Sequence, residues 1–219
     1  MKSEKKNNII KLIEFDNKFN KTIIGTDEAG RGPAAGGVFA SAVFFPEITE
    51  KLIEDLSVLN DSKQLSKQKR ESLYDTILQN TINSTICVEV EEIEEINILN
   101  SSLKAMKLAC EDVYNKIKKE NILVLVDGNR KIKNFNLPQQ PIIKGDGNSA
   151  SIAAASILAK VTRDRYMEKL HDEYPQYNWI KNAGYLTKEH LEAIDKYGLT
   201  PYHRPSFLKK HFEKQLSLF

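Results

Sequence analysis

Two adjacent carboxylates and an arginine set between glycines follow an apolar segment near the N-terminus. Asp27 and Glu28 come after Ile23 and Ile24 in the sequence TIIGTDEAGRGP of residues 22–33. Two half-buried carboxylates side by side repel each other and lose hydration, so a divalent cation is their natural partner. The Gly-Arg-Gly that follows offers bare backbone and one guanidinium to an anionic ligand. The segment predicts a metal site beside an anion-binding turn, and a hairpin with a charged turn is the structural alternative.

A third acid, Asp127, occupies an equivalent position later in the chain. It directly follows the five aliphatic residues of ILVLVDGN (residues 122–129), which are typical of a strand buried on both faces. In open sheets covered by helices, ligands bind outside the carboxyl ends of the strands. Asp127 is therefore expected beside Asp27 and Glu28. An ordinary Asp-Gly turn is the alternative.

A fourth acid, Asp164, follows a run of small and apolar residues with helical spacing. On a helical wheel Ala153, Ile157 and Asp164 lie within about 20° of one another, so a helix that buries Ile157 also aims Asp164 at the sheet. A carboxylate on an apolar stripe requires a metal or a charge partner. Pairing with Arg163 or Arg165 is the alternative to a metal.

The elements that must position these acids follow from the hydrophobic pattern. Gly25, Gly30 and Gly32 are predicted to bracket the point where the first strand ends, and both faces of residues 38–46 are apolar, as in a central strand. The predicted strands begin at Thr22 and span 38–46, 81–90 (near an edge), 122–127 and 141–144. Two helices are predicted at 8–19 and 48–56. Three more are predicted to begin near Ser66, which is a plausible cap, near Ser101, with Asn100 or Ser101 as its cap, and near Ser151. The aromatic remainder from Tyr166 is predicted to be mostly helical.

Length and composition restrict the class of protein. With 219 residues and 41% apolar content, the chain can bury one sizeable core with a small appendage. It contains no apolar run long enough to cross a membrane and no signal-peptide core, so we expect a cytoplasmic protein, by default a monomer. The net charge of +2 is only a weak indication of nucleic-acid binding. Cys87 and Cys110 are expected to be buried thiols.

Several ordered motifs together resemble the bacterial type 2 ribonuclease H (ribonuclease HII) family. They lie between residues 23 and 207 and read TDEAGRGP, NDSKQLS, VDGN, IIKGD, SIAAASILAKVTRDR, GYLT with EHLEAI, and HRPSF. The resemblance implies an α/β ribonuclease H-like fold with a mixed five-stranded sheet, flanking helices and a C-terminal helical subdomain. The implied divisions are an N-terminal extension (1–20), a catalytic core (21–164), the helical subdomain (165–212) and a tail (213–219). Asn148 departs from the family, which often has lysine there.

The resemblance also implies an activity and its residues. Family members hydrolyse the RNA strand of RNA/DNA hybrids and incise 5′ to single ribonucleotides in duplex DNA, leaving 3′-hydroxyl and 5′-phosphate ends, in replication and repair. The metal ligands, for two Mg²⁺ or Mn²⁺ ions, map onto Asp27, Glu28, Asp127 and Asp164. The residues that read the 2′-hydroxyl at an RNA to DNA junction map onto Gly30, Arg31, Gly32 and Tyr185. The basic residues predicted to contact phosphates are Lys63, Lys144, Lys160 and Arg165.

The neighbouring carboxylates raise a geometric question. In a regular strand Asp27 and Glu28 would point to opposite faces, so Glu28 reaches a metal only if the strand ends there, or else contributes its main-chain carbonyl.

The last five residues form a separate motif. Gln215, Leu216, Ser217, Leu218 and Phe219 resemble the pentapeptide by which bacterial proteins bind the sliding clamp. An amphipathic final helix is the alternative, because Leu208 and Phe212 share a helical face with Leu216 and Phe219.

Two rival functions are less well supported. A type 3 ribonuclease H would need an N-terminal substrate-binding domain, for which about twenty residues leave no room. A nucleic-acid-binding scaffold without catalysis would not need all four acids.

Overall fold

The computed structural model describes residues 2–59 and 65–216, with side chains for residues 8–59 and 65–213. Within these ranges the chain forms one five-stranded sheet with helices around it. The strands are β1 (Thr22–Ala29), β2 (Val38–Phe44), β3 (Ile82–Val88), β4 (Ile122–Asp127) and β5 (Gln139–Ile142). The helices are α1 (Lys2–Asn17), α2 (Glu50–Asp55), α3 (Lys67–Asn80), α4 (Val90–Ile96), α5 (Ile98–Ile117), α6 (Ala150–Glu173), α7 (Trp179–Asn182), α8 (Lys188–Tyr197) and α9 (Pro205–Leu216), with 3₁₀ turns at Gly145–Gly147 and Pro175–Tyr177. No helix in the described ranges is long and apolar enough to span a bilayer.

The sheet is mixed, with the order β3-β2-β1-β4-β5. β1 pairs antiparallel with β2 and parallel with β4, while β2 and β3 are antiparallel and β4 and β5 parallel. A core that includes Ile24, Val124 and Met106 joins the sheet to α5. On the opposite face, alanines of α6 pack with residues of α1 and α3. The predicted ribonuclease H-like architecture, with the third strand at an edge, is confirmed.

β1 ends inside the bracket of glycines that the sequence predicted. The strand continues through Gly25 and ends at Ala29, directly before Gly30. A Cβ on Gly25 would lie 2.3 Å from the carbonyl carbon of Ser151 and 2.4 Å from the nitrogen of Ile152. Gly25 is therefore required because the first turn of α6 rests directly on the strand, and Asp27 and Glu28 lie within the strand.

Other boundaries also differ from the sequence pattern. β5 ends at Ile142, two residues before the predicted end, and α5 begins at Ile98 rather than near Ser101. The cap of α5 is Asn97, whose side-chain oxygen accepts hydrogen bonds from the main-chain nitrogens of Leu99 and Asn100. The predicted cap of α3 is confirmed, because Ser66 Oγ accepts from the nitrogen of Lys69. Of the two thiols, Cys110 is buried in α5 and the other lies half-buried in β3.

The N-terminal helix α1 contributes a buried cap to α6. Asp16 Oδ2 accepts hydrogen bonds from the nitrogen of Ser151 at 2.9 Å and from its Oγ at 2.8 Å. The side chain is only 7% exposed, and burial raises its pKa. A carboxylate at a helix N-terminus accepts hydrogen bonds from N–H groups that have no partner within the helix, and its negative charge interacts favourably with the helix dipole. α1 therefore stabilises the helix that carries Asp164.

Removing this cap should destabilise the fold. We expect Asp16→Ala to lower the free energy of unfolding by about 2 kcal/mol, because a buried N–H and a hydroxyl lose their acceptor. Urea unfolding measures the change. The matched control is Asp112→Ala, which removes an aspartate with a largely exposed side chain that contacts Lys116 and Ser84 and should cost less than about 0.5 kcal/mol. Equal losses in the two variants would contradict the capping role.

A chain of buried hydrogen bonds links the C-terminal helices. The nitrogen of Thr200 donates to His203 Nδ1 (2.9 Å), so His203 carries its proton on Nε2, which faces His190 Nε2 at 3.1 Å. His190 Nε2 also accepts from Trp179 Nε1, which leaves its Nδ1 to donate to the carbonyl of Tyr185. Both imidazoles are neutral in this pattern. Burial, with the neighbouring His190, lowers the pKa of His203 to about 4.

Because His203 is buried in its neutral form, we expect the protein to lose stability in mild acid. The unfolded chain binds a proton at His203 near pH 6.5, whereas the folded chain resists it until about pH 4. The stabilisation is therefore complete above pH 6.5 and lost as the pH falls towards 4, by on the order of 2 kcal/mol. Urea unfolding at pH 7.5 and 4.5 should show a smaller decrease for His203→Asn than for the unaltered protein. Parallel decreases would contradict this assignment.

Candidate active site

Asp27 and Asp127 lie next to each other at the carboxyl ends of β1 and β4. The parallel register pairs Thr26 with Val126, so the two aspartates follow at the next position. Side chains alternate along a strand, so both share the face of Gly25, on which α6 rests. The expectation that two neighbouring strands end in acid at one edge agrees with this register. Glu28 is the next residue of β1, so the alternation of side chains assigns it to the opposite face of the sheet.

The charge around Asp27 is strongly negative. Its side chain is 7% exposed, and burial together with the carboxylates of Glu28, Asp127 and Asp146 raises its pKa well above the usual value. Asp27 Oδ1 accepts a hydrogen bond from the nitrogen of Glu28 at 2.7 Å. One such bond cannot offset the repulsion of three neighbouring acids. A cation would relieve that repulsion.

Asp146 is an acid that the sequence reasoning did not assign. It is 9% exposed and lies in the 3₁₀ turn Gly145–Gly147 that follows β5. The nitrogen of Gly145 donates to Asp127 Oδ1 at 2.7 Å, which fixes this turn beside the end of β4. The available signal was an Asp-Gly pair shortly after a strand, which Asp127 with Gly128 also forms.

These acids fit a divalent metal by their chemistry. Carboxylate oxygens are the ligands that Mg²⁺ and Mn²⁺ prefer, and the mutual repulsion around the buried Asp27 is what such an ion would cancel. Among the described residues, no three His, Cys, Asp or Glu side chains already converge closely enough to enclose an ion. The structure thus brings the donors to one edge of the sheet without a finished coordination shell.

Asp164, on α6, is paired with cations from its own helix and from α3. Its Oδ1 is 2.6 Å from Lys160 Nζ, one turn earlier on α6, and its Oδ2 is 3.9 Å from Arg70 Nη2 on α3. Neither Arg163 nor Arg165, the partners considered from the sequence, forms an ion pair with it, although its charge does act on the Arg163 guanidinium. Arg70 was not predicted as a partner of Asp164, because its proximity depends on how α3 packs against α6.

Asp27, Glu28 and Asp127 line one cavity together with the residues predicted to read the RNA to DNA junction. The cavity has a volume of about 490 Å³, and Lys160 and Arg70 also line it. Asp164 lines a neighbouring cavity that shares these two cations. The predicted residues in the wall of the first cavity are Asp27, Glu28, Gly30, Arg31, Gly32, Asp127, Lys160 and Tyr185.

The Gly-Arg-Gly turn and Tyr185 form one continuous wall. Tyr185 is 52% exposed, as the sequence predicted for a residue that stacks on a ligand. A Cβ on Gly32 would lie 3.1 Å from Tyr185 Cε1, a tight contact, so a side chain at this position would push the ring slightly away. Gly30 has a φ of +100°, which favours glycine. Arg31 is exposed and its Nη1 lies 3.1 Å from Glu28 Oε1.

The remaining basic predictions lie in different surroundings. Lys63 falls outside the described residues. Lys144 is exposed at the start of the 3₁₀ turn, where its carbonyl accepts from the side chain of Asn148 at 2.7 Å. Arg165 is exposed, pairs with Glu71 and lies over the ring of Tyr74, away from the first cavity's lining.

The predicted clamp-binding pentapeptide is only partly described. The backbone of Gln215 and Leu216 belongs to the end of α9, while Ser217, Leu218 and Phe219 fall outside the described residues. The helical alternative thus holds for the backbone as far as Leu216.

Comparison with known proteins identifies the family. The model of the ribonuclease HII family matches residues 24–215. A ribonuclease HII of Fusobacterium nucleatum is 50% identical over 196 residues, covering 89% of each chain. The structure of ribonuclease H2 from Pyrococcus horikoshii superposes with a TM-score of 0.67 at 29% identity, over 88% of this chain and 97% of that one.

Two more distant structures share the fold. One is the ribonuclease HII in the PCNA complex from Archaeoglobus fulgidus, with a TM-score of 0.67 and 23% identity over 84% of this chain and 93% of that one. The other is Bst-RNase HIII in complex with Mn²⁺, with a TM-score of 0.64 and 16% identity over 87% of this chain and 65% of that one. The family match spans all the described acids of the site, and the chain belongs to the ribonuclease HII family, as a metal-dependent nuclease with ribonuclease H activity.

Proposed function

We propose that this protein hydrolyses the RNA strand of RNA/DNA hybrids and also incises duplex DNA on the 5′ side of a single embedded ribonucleotide. The products are a 3′-hydroxyl and a 5′-phosphate, and the setting is the removal of ribonucleotides and primers during replication and repair in the cytoplasm. The observation that carries the proposal is the shared cavity, in which Asp27, Glu28 and Asp127 face the Gly-Arg-Gly turn and Tyr185. Cleavage chemistry and 2′-hydroxyl recognition would then act on the same phosphodiester.

The acids would hold the metal. Asp27, Glu28, Asp127 and Asp164 are the proposed ligands of two Mg²⁺ or Mn²⁺ ions, with Glu28 contributing its side chain or its main-chain carbonyl. When bound, such ions lower the pKa of the attacking water and stabilise the leaving 3′-oxygen. Lys160 neutralises Asp164 and also lines the main cavity, where its ammonium group can meet a phosphate of the substrate.

The turn and the tyrosine would read the sugar. Gly30 and Gly32 carry no side chain of their own, so their main-chain groups can approach a ligand closely, and the 2′-hydroxyl is the group that distinguishes RNA from DNA. The exposed ring of Tyr185 can stack on the sugar or base at the junction. Arg31 supplies a charge for an adjacent phosphate.

The test is cleavage of a labelled DNA duplex that carries one ribonucleotide, with Mg²⁺ or Mn²⁺ present. An all-DNA duplex and a long RNA/DNA hybrid are the companion substrates. We expect incision 5′ to the ribonucleotide, cleavage of the hybrid and no cleavage of DNA. Cleavage of the long hybrid alone would refute the junction role of Arg31 and Tyr185. Folded protein that cleaves neither would favour a binding scaffold instead.

Tyr185→Ala should weaken incision at a single ribonucleotide by about 10- to 100-fold, because stacking on one base or sugar contributes about 1–3 kcal/mol. The readout is kcat/KM on the substrate with one ribonucleotide. Tyr197→Ala is the matched control, since Tyr197 is also 52% exposed but lies outside the lining of the cavity. A similar loss in both variants would contradict the stacking role.

The C-terminal pentapeptide is proposed to bind a sliding clamp. The archaeal ribonuclease HII of similar fold is described in complex with PCNA. Deleting residues 215–219 should abolish binding to the bacterial sliding clamp in surface plasmon resonance and leave cleavage of a short duplex unchanged. Unchanged clamp binding after the deletion would rule out this role for the tail.

A further inference from the structure

Two arginines are buried beside the junction-reading turn. Arg163, on α6, is 2% exposed, and Arg204, just before α9, is fully buried. Burial lowers the pKa of both guanidinium groups, with Arg163 also contributing at Arg204. Burying a cation is costly unless its donors are satisfied. The partners of these donors therefore show what the two arginines do.

Arg204 binds the main chain of the loop between β1 and β2. Its Nε and Nη2 donate to the carbonyl of Gly36 at 2.9 and 2.5 Å. Its Nη1 donates to the carbonyl of Pro33 at 2.8 Å and lies 3.5 Å from that of Arg31. A single guanidinium thus gathers three carbonyls from the residues that directly follow Gly30.

Arg163 joins the same loop to the segment that carries Tyr185. Its Nη2 lies 3.1 Å from the carbonyl of Ala35 and 3.1 Å from the carbonyl of Ala183, two residues before the tyrosine. A Cβ on Gly30 would lie 2.3 Å from Arg163 Nε, so the turn rests directly on this guanidinium. The guanidinium is therefore the contact shared by both halves of the predicted recognition wall.

Main-chain hydrogen bonds reinforce this arrangement. The nitrogen of Ala34 donates to the carbonyl of Gly184 at 2.9 Å, and the nitrogen of Gly36 donates to that of Tyr202 at 2.8 Å. The nitrogen of Arg204 in turn donates to the carbonyl of Ala34 at 2.7 Å. The loop is bonded on both sides to the C-terminal region.

We propose that Arg163 and Arg204 are positioning residues for recognition of the RNA to DNA junction. They hold the Gly-Arg-Gly turn at a fixed distance from Tyr185. Arg204 lies outside the lining of the substrate cavity, whereas Arg163 lies in it. This inference rests on the proposed function. A planar fork with five donors can bind several carbonyls at once, whereas the ammonium group of lysine cannot reproduce that geometry.

The test compares two substrates in Arg204→Lys and Arg163→Lys proteins. We expect kcat/KM for the duplex with one ribonucleotide to fall at least tenfold more than kcat/KM for a long RNA/DNA hybrid, mainly through a higher KM. A hybrid offers many 2′-hydroxyls and tolerates a displaced turn, whereas a single ribonucleotide does not. Arg204→Lys is the cleaner variant because it lies farther along the chain from Asp164.

The matched control is Leu208→Ala. Leu208 is fully buried in the same helical cluster but contributes no donor to the loop. It should lower the melting temperature while leaving the ratio of the two kcat/KM values within threefold of that of the unaltered protein. An unchanged ratio in both lysine variants, or an equal change in Leu208→Ala, would overturn the proposal.

A measurement on the unaltered protein covers the case in which the lysine variants do not fold. Hydrogen exchange at the amides of Ala34 and Gly36 should be as slow as in the central strands, because the loop is held from both sides. Exchange as fast as in exposed loops would overturn the proposal. Failure of the unaltered protein to incise at a single ribonucleotide would instead refute the proposed function.

Discussion

An Asp127→Asn protein should fold normally, bind its substrate and lose cleavage by a factor of about 10³ or more. Asp127 Oδ1 accepts a hydrogen bond from the nitrogen of Gly145 at 2.7 Å, and the amide oxygen of asparagine can accept the same bond. The substitution therefore keeps the shape of the site and removes one negative charge. Metal ions that need anionic oxygen ligands lose affinity or position as a result.

Single-turnover cleavage and fluorescence anisotropy separate the two effects. The rate constant should fall as stated, while the dissociation constant for a labelled RNA/DNA hybrid changes by less than about threefold, since most affinity comes from phosphate contacts. Asp112→Asn, an exposed aspartate on α5, provides the control and should leave both quantities unchanged. Cleavage within tenfold of the unaltered rate would show that Asp127 is not a metal ligand.

Gly25→Ala should destabilise the protein by about 3 kcal/mol or more, or prevent folding. The added methyl group would lie 2.3 Å from the carbonyl carbon of Ser151 and 2.4 Å from the nitrogen of Ile152. Both contacts are with main-chain atoms, so no side-chain rotation relieves them. α6 would have to move away from β1, which loosens the core between the helix and the sheet.

Gly147→Ala is the matched control for this substitution. No atom lies within 4 Å of a Cβ built on Gly147, and its φ is not positive, so the free energy of unfolding should change by less than about 1 kcal/mol. Urea unfolding monitored by circular dichroism measures both variants. A loss below about 1 kcal/mol for Gly25→Ala would mean that α6 shifts easily, contrary to the close packing described.

The sheet could be predicted because its central strands have an unambiguous pattern. The aliphatic run before Asp127 occurs in a strand covered on both faces, and the structure has five buried residues there. Asp27 could be placed beside it by the rule that sites form at the carboxyl ends of strands. The start of α5 was predicted less accurately. Asn97 caps the helix with a positive φ of 65°, which the local sequence pattern does not indicate.

The partners of the site residues could not be predicted from local sequence. Asp164 was expected to meet a metal or an adjacent arginine, yet it contacts Lys160 one turn away and Arg70 on another helix. The function of Gly25 as a contact point for α6 likewise depends on packing between distant segments. Periodicity shows which face of an element is buried, but not which side chain from another element it meets.

The bonds of Arg204 have a consequence for the order of folding. They join residues 168 to 173 positions apart in a chain of 219 residues. Closing such a long loop is entropically costly. During synthesis the bonds between Arg204 and Gly36 cannot form until nearly the whole chain has emerged from the ribosome. The acids of the sheet come from earlier segments. We therefore expect the nascent chain to bring the proposed metal ligands of the sheet together first and to complete the proposed junction-reading wall last.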